Sequence, residues 1–579
     1  MKRHRARLEA IKARLWTFSL LRLAVFGLGA LGVYLLLGNA MALMVLLVVV
    51  VGLFLFLVSR HTDLKTRRNL LRALVRLNET ELEVLDFKFH DLPAGDAFKD
   101  PSHAYSQDID LFGKGSFFQY CNRTALSQGG EKLAHLLKEN HTENIMEKQE
   151  AVKELSHLVE WRQEFWALGT GLKTEVPHTH LIHWIQRYTP FVPSVMKTLS
   201  LVFGCISLVL WALFLFGGVS GWWVIGWFFI GLGISLRYVK AINRLSRHTS
   251  GILATFQQYQ KLIVLLEGQE FRSTWLLGRQ TRVLGQTEKV SRLLQRFSKL
   301  LNALDQRNNV LVGILANGFL LRDLWLAHGI EEWIKIHQGK VADWFRTITF
   351  FDAYNSLGNF AYNHPQYTFP ELSQGAIAIR SQGLGHPLLP RDKGVPNDLA
   401  IDQEQFFIIT GANMAGKSTF LRAVSLQIVM ANMGLPVCAS RVEYSPIKLI
   451  TSMRTTDSLT DNESYFFSEL KRLKFIVDQI KDGRYFIVLD EILKGTNSTD
   501  KARGSRKFVE RLVASKSTGL LATHDVSLCD AARELPQAHN YYFDAQIIDG
   551  ELFFDYTIKE GICTHMNASF LLRKMGIVE

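Results

Sequence analysis

Two long stretches of the chain carry almost no polar side chains, and the remainder mixes polar and apolar positions at the spacings of a folded, water-facing protein. From Leu20 to Val58 the only charged residue is Arg22, and the run breaks once, at the turn-forming pair Gly38-Asn39. Each half is roughly 18 residues, about enough to cross a hydrocarbon layer at ~1.5 Å rise per residue. A second apolar run, Thr198 to Leu236, breaks at Gly217-Gly218-Val219-Ser220-Gly221 and carries Trp211, Trp222, Trp223 and Trp227 in or near its interfacial parts. The pattern predicts four transmembrane helices in two hairpins, 20–58 and 198–236. Between them, Leu133, Leu136, Leu137, Ile145, Val152, Leu155 and Leu158 recur at helical spacing. After them, 252–344 contains no proline and is rich in Leu, Gln and Arg, which again predicts long helices. The style changes near Pro365: prolines and glycines crowd 370–396, and alternating strand and helix signals follow, as in a mostly parallel sheet flanked by helices. The expected division is a basic N-terminus (1–19), hairpin 1 (20–58), the first part of an all-α core (59–197), hairpin 2 (198–236), the second part of that core (237–344) and an α/β domain (345–579).

Charge adds an orientation. The chain has 579 residues with 66 Lys or Arg against 54 Asp or Glu, a net charge of +12, which suits nucleic acid or an anionic membrane surface. Much of the excess flanks the apolar runs. Lys2, Arg3, Arg5, Arg7, Lys12 and Arg14 precede the first and Arg60, Lys65, Arg67 and Arg68 follow it; Arg187 and Lys197 precede the second and Arg237, Lys240, Arg244 and Arg247 follow it. Both hairpin tips lack charge, so the N-terminus and every large segment are expected in the cytoplasm, in a multi-pass integral membrane protein. Ala40-Met41-Ala42 has the small residues of a signal-peptide cleavage site, but a second apolar run follows at once. The five cysteines are scattered, without disulfide or metal spacing, which fits a reducing compartment. His178, His180 and His183 sit just before an apolar run and read as interfacial or surface residues.

The chemistry lies near the C-terminus. Gly411-Ala412-Asn413-Met414-Ala415-Gly416-Lys417-Ser418 fits G-x-x-x-x-G-K-[ST], follows the apolar strand 406–410 and, from Thr419, opens a helical stretch. Glycines there let backbone N–H groups and a helix N-terminus wrap phosphates. Lys417 is then expected on the β- and γ-phosphates and Ser418 on Mg²⁺. A second apolar strand, 485–489, ends in Asp490-Glu491. Two carboxylates at a strand end supply what hydrolysis needs, Asp490 for the metal shell and Glu491 to orient or deprotonate water. A third strand, 519–523, runs into His524, placed to sense the γ-phosphate. The segment 546–553 reads as a β-hairpin around Asp549-Gly550.

This set resembles the MutS family of ATPases. The run 410–419 is similar to that family's T-G-P-N-M-G-G-K-S-T, 490–500 to its D-E-I-G-R-G-T-S-T-x-D, and 522–524 to its A-T-H. Gly385-His386-Pro387 and Pro396-Asn397-Asp398 resemble the segment before its phosphate loop. Ser464 and Glu469 match its G-R-S-T-F-x-x-E, although Asn462-Glu463 stands for Gly-Arg and Tyr465 for Thr. The resemblance implies that Ser464 approaches the γ-phosphate in a partner subunit, and hence a homodimer with two composite ATP sites. More weakly, it extends over roughly 109–577 apart from hairpin 2. No Phe-x-Glu mismatch-reading domain or DNA-clamp domain is recognisable, and no endonuclease-like tail is expected.

The expected protein is therefore a membrane-tethered ATPase with ATP and Mg²⁺ as ligands. It joins a P-loop α/β domain to an all-α lever and two membrane hairpins, and by resemblance it acts in DNA mismatch binding or repair. The alternative is a membrane ATPase switch acting on an unknown protein or on the bilayer, without DNA. An ABC-type transporter shares the sheet, but 458–469 holds no L-S-G-G-Q-like signature.

Overall fold

Both apolar runs fold as helical hairpins, and three of the four helices continue well past the apolar residues. The computed structural model describes residues 1–171, 178–285, 288–308, 310–390, 392–454, 465–494, 497–548, 551–563 and 577. The first hairpin pairs α1 (Lys2–Leu35) with α2 (Ala40–Leu85), and Asn39 caps α2 by accepting a 3.1 Å hydrogen bond from the Ala42 N–H. The basic residues 2–14 therefore sit on the first turns of α1 rather than on a separate tail. Leu8 packs with Leu71 and Leu74 of α2 and with Ala167, so the hairpin is a stalk rooted in the helical core. The second hairpin pairs α8 (Val195–Leu215) with α9 (Gly221–Ser250), turning where the glycines stand. Among the described residues, four helices are long and apolar enough to cross a membrane: Lys2–Leu35, Ala40–Leu85, Val195–Leu215 and Gly221–Thr249.

The helical core gathers α3 (Phe117–Cys121), α4 (Ser127–Lys138), α5 (Ile145–His157), α6 (Val159–Thr170) and α7 (His178–Gln186) from before the second hairpin. After it come α10 (Leu253–Gly268), α11 (Thr274–Gln280), α12 (Val290–Asp305), α13 (Val310–Leu320) and α14 (Arg322–Asn363). The 42-residue α14 is about 63 Å long at ~1.5 Å per residue. It runs through residue 345, the first of the expected α/β domain, and ends at Asn363, directly before His364-Pro365. The reason is local: no proline interrupts 322–364, and Phe345, Ile348, Phe351, Tyr354 and Leu357 continue the buried face. Pro365 is the first residue the helix cannot accept.

The fully buried Asp352 of α14 accepts 2.9 Å hydrogen bonds from the Ala125 and Leu126 N–H groups, tying the loop before α4 to the rod. Burial pushes its carboxyl up to about 7, although those two donors oppose the shift. The folded state thus holds a proton that the unfolded chain releases above its ordinary value of about 4. This contribution to stability is present below about pH 4 and lost as pH rises through about 7. In detergent, the thermal midpoint measured between pH 5 and 8 should fall more steeply in the wild type than in Asp352→Asn; equal slopes would contradict this assignment.

The C-terminal part holds two main sheets. Strands β1 (Glu371–Leu372), β2 (Ile377–Leu384), β3 (Asn397–Asp402) and β5 (Arg441–Tyr444) form one, in the order β1-β5-β2-β3, mostly antiparallel. The larger sheet has the order β12-β9-β4-β8-β7-β6, from β4 (Phe406–Gly411), β6 (Lys448–Ser452), β7 (Tyr485–Asp490), β8 (Thr518–Ala522), β9 (Ala538–Phe543) and β12 (Ile558–Glu560). All its pairings are parallel except β12 with β9. Helices α15 (Lys417–Asn432), α16 (Tyr465–Gln479), α17 (Ser498–Ala514) and the short α18 (Ala531–Glu534) connect its strands. Strands β10 (Gln546–Ile548) and β11 (Glu551–Phe553) form the expected hairpin; its Asp549-Gly550 turn lies outside the described residues.

Candidate active site

Strand β4 is buried along its whole length, which delivers the loop 412–416 to the carboxyl edge of the sheet, where parallel α/β sheets place their ligands. Two glycines make that loop. Gly411 has φ 144°, and a β-carbon there would strike the Phe543 carbonyl. Gly416 has φ 103° and caps α15, whose first N–H groups then face the loop. The Lys417 ammonium folds back beneath it, donating to the Gly411 and Ala412 carbonyl oxygens, both at 2.8 Å. Burial lowers the Lys417 pKa, opposed by the nearby carboxylates of Asp490 and Glu491.

The neighbouring strands bring the rest. Ser418 Oγ, in the first turn of α15, donates to Asp490 Oδ2 at the end of β7 at 2.6 Å. Glu491 follows with φ 51°, its N–H held by the Ala522 carbonyl at 2.9 Å. Its Oε1 accepts from His524 Nε2 at 2.7 Å, and Lys494 Nζ lies 3.8 Å from Oε2. The His524 hydrogen bond, aided by Lys494 and Lys501, holds the Glu491 carboxyl down at about 2. Lys417 Nζ comes within 3.5 Å of the same His524 nitrogen. That nitrogen already donates to Glu491, so this is an approach of two donors.

The cavity around these groups has a volume of about 550 Å³, within the usual range for a small-molecule site. Ala412, Asn413, Met414, Ala415, Gly416, Lys417, Ser418, Thr419, Asp490, Glu491 and His524 all line it, so all the sequence-derived candidates except Gly411 and Ser464 meet at one wall. Gly411 shapes the loop from beneath. Ser464 lies outside the described residues, as do Asp461, Asn462 and Glu463. Ser418 and Asp490 offer adjacent oxygens, a donor set that suits a hard cation completing its shell with phosphate and water oxygens. Among the described residues no group of three or more His, Cys, Asp or Glu is arranged to hold a metal alone.

Residues 407–572 match MutS domain V. Over similar stretches the chain resembles curated relatives. It is 35% identical over 202 residues to the DNA mismatch repair protein MutS of Natronomonas pharaonis, covering 34% of this chain and 23% of that protein. It is 30% identical over 232 residues to the DNA mismatch repair protein MutS 2 of Halobacterium salinarum, covering 39% and 27%. The MutS of Staphylococcus haemolyticus is 30% identical over 241 residues, covering 40% and 27%. The chain thus spans about a quarter of the length of the curated relatives it matches.

Around the cavity and the edge of β6, several residues have positions that motif reading left without a role. Tyr556 lies over Gly416 at the cavity wall. Asn397 fixes its segment, donating to the Tyr556 carbonyl at 3.0 Å and accepting from the Ile558 N–H at 2.7 Å. His386 lines the same wall, and burial pushes its imidazole down to about 4. The buried Glu469 accepts from the Lys494 N–H at 3.0 Å, bracing the turn that follows Glu491. The edge of β6 is covered by a segment from before α3. The Ala104 carbonyl accepts from the Thr451 N–H at 2.9 Å, and Asp108 accepts from the Arg454 N–H at 2.9 Å. Asp110 accepts two hydrogen bonds from the Arg454 guanidinium, at 2.6 and 3.0 Å. Arg454, held by two carboxylates, is the last described residue before 455–464. Only the pairing of sequence-distant acids with Arg454 would have given this away, and no local spacing encodes it.

Proposed function

We propose that the chain is a membrane-tethered, MutS-like ATPase that binds and hydrolyses Mg-ATP in this cavity, as a homodimer in which Ser464 of each protomer approaches the γ-phosphate held by the other. The observation that carries the reading is the Ser418–Asp490 hydrogen bond beside the Lys417 ammonium, with Glu491 and His524 paired next to it. The helix N-terminus and the loop N–H groups attract phosphate. Lys417 exchanges its two carbonyl acceptors for phosphate oxygens, and its loop partners relax. Ser418 and Asp490 serve Mg²⁺, which when bound offsets phosphate charge. Glu491, held at about 2, is a weak base and is better fitted to orient water than to strip it. His524 is free to turn from Glu491 toward the γ-phosphate. Tyr556 offers an aromatic face to the base.

Replacing Lys417 tests the site. Lys417→Ala should weaken ATP retention by roughly 10–100-fold, the worth of a hydrogen bond to a charged group, without altering the circular dichroism of the purified protein. Undiminished retention would sink the proposal.

The basic flanks and four apolar helices support a cytoplasmic N-terminus and α/β domain with both hairpins in a bilayer. The relatives are named as DNA mismatch repair proteins, so duplex DNA is the first polymer to test. A second reading, in which the ATP cycle moves a protein or membrane partner without DNA, is favoured by α2 and α9, which continue without a break beyond the apolar runs of the two hairpins. If several phosphates are contacted, retention of a mismatched duplex by the detergent-solubilised protein should fall steeply as salt is raised. No retention at low salt would leave the second reading standing.

A further inference from the structure

The apolar helix α13 belongs by sequence to the helical core, yet its closing residues pack inside the second hairpin. Gly318 and Gly231 of α9 meet backbone to backbone: a β-carbon on Gly231 would strike the Gly318 carbonyl, and one on Gly318 would strike the Phe228 ring. Leu320 lies against Gly204 of α8, and the Phe319 ring packs edge-on against Trp211. All four partners lie well inside the uncharged run 198–236. Close backbone approach through small residues is how helices associate in lipid.

Backbone groups at this junction find partners within the protein. Ser207 Oγ donates to the Phe319 carbonyl at 2.6 Å and accepts from Trp227 Nε1 at 2.9 Å. The helix breaks at Leu321, φ 49°, and α14 begins. There Asn317 Oδ1 accepts from the Asp323 N–H at 2.9 Å, and Arg307 pairs with Asp323 at 3.1 Å. A helix break at membrane depth is tolerated only with its backbone satisfied in this way. Meanwhile Ile314, Leu315 and Leu320 remain 43%, 55% and 46% exposed, continuous with the bare apolar face of α8.

We infer that α13 is a third membrane insertion, a re-entrant helix that enters from the cytoplasmic side beside hairpin 2 and offers Ile314, Leu315 and Leu320 to phospholipid acyl chains. The inference rests on the membrane reading of hairpin 2. Its consequence is that α14 starts at the inner edge of the hydrocarbon layer and reaches the α/β domain without a break.

Single cysteines added to a background in which all five native cysteines, Cys121, Cys205, Cys438, Cys529 and Cys563, are replaced by Ala, in sealed vesicles with the cytoplasmic face outward, test it with a membrane-impermeant maleimide. Leu315→Cys and Leu320→Cys should react at least ~10-fold more slowly than Arg272→Cys in the core, because an apolar surrounding suppresses the thiolate. Both should react fully after denaturation, and Ser220→Cys at the hairpin tip should react only once the vesicles are opened. A phospholipid with a photoactivatable acyl chain should cross-link to 310–320, which separates lipid contact from burial against protein. Fast labelling of Leu315→Cys and Leu320→Cys with Ser220→Cys still protected, or slow labelling without lipid cross-linking, overturns the insertion of α13 alone. Immediate labelling of Ser220→Cys as well overturns the membrane reading itself.

Discussion

Glu491→Gln should leave ATP retention intact while lowering steady-state hydrolysis by roughly 10²–10⁴-fold, the usual worth of a positioned acid–base group. The amide keeps the shape of the side chain and can still accept from His524 Nε2, so the fold of the β7 end should survive; what is lost is the negative charge that aligns water. The pH behaviour follows from the same contact. The Glu491 carboxyl is depressed to about 2 by the His524 hydrogen bond. A depressed carboxyl stabilises the fold above the unfolded value of about 4, and that contribution fades as pH falls through about 2. While that contact holds, Glu491 stays ionised from pH 4 to 8. Measured by phosphate release and filter retention on the same preparation, a variant that hydrolyses ATP at the wild-type rate would remove Glu491 from the mechanism.

The parts of this molecule that the sequence made legible share one property: their signal is contiguous. An apolar run interrupted by Gly217-Gly218 can only double back, and the hairpin α8–α9 does so. The run 411–418 states its own turn chemistry, and β4 and α15 stand on either side of it. Asp490, Glu491 and His524 reach the same wall because they end the strands β7 and β8, which pair on one side of β4. What stayed hidden depends on residues far apart in the chain. The 11 residues of α13 are too short to announce a membrane span, and their apolar character reads equally well as core; only packing against Gly231 distinguishes the two. The passage of α14 through residue 345 was obscured because the crowding of proline and glycine near 365–396 draws attention to the next element, while the helix ends only where proline forbids it. The hold of Asp108 and Asp110 on Arg454 crosses more than 340 positions, and no periodicity or motif spans that distance.

The largest loss of stability should follow Glu81→Ala. Glu81 lies in the last turns of α2, and its carboxylate accepts from Arg123 Nε at 2.5 Å, from Asn359 Nδ2 at 2.9 Å and from Asn363 Nδ2 at 2.6 Å. One carboxylate thus joins the helix descending from hairpin 1, the loop before α4 and the end of α14. The Arg123 and Glu81 side chains are only 6% and 14% exposed, so neither charge can turn to water. Removing one partner of a buried pair leaves an uncompensated charge, at a cost of about 3–5 kcal/mol. Glu81→Gln should cost less, since its amide oxygen can still accept from an asparagine. The double variant Glu81→Ala/Arg123→Met should recover much of the loss, because it removes the stranded guanidinium along with its partner. Thermal unfolding in detergent would read all three. If Glu81→Ala melts with the wild type, the junction of α2 and α14 does not hold the core together. If it melts early and the double variant earlier still, the pair stabilises through packing of the Arg123 stem rather than through charge. The ATP cavity lies outside this junction, so ATP retention by folded Glu81→Ala at low temperature should match the wild type. Any coupling between the hairpins and the site must then run through the helices that Glu81 ties together.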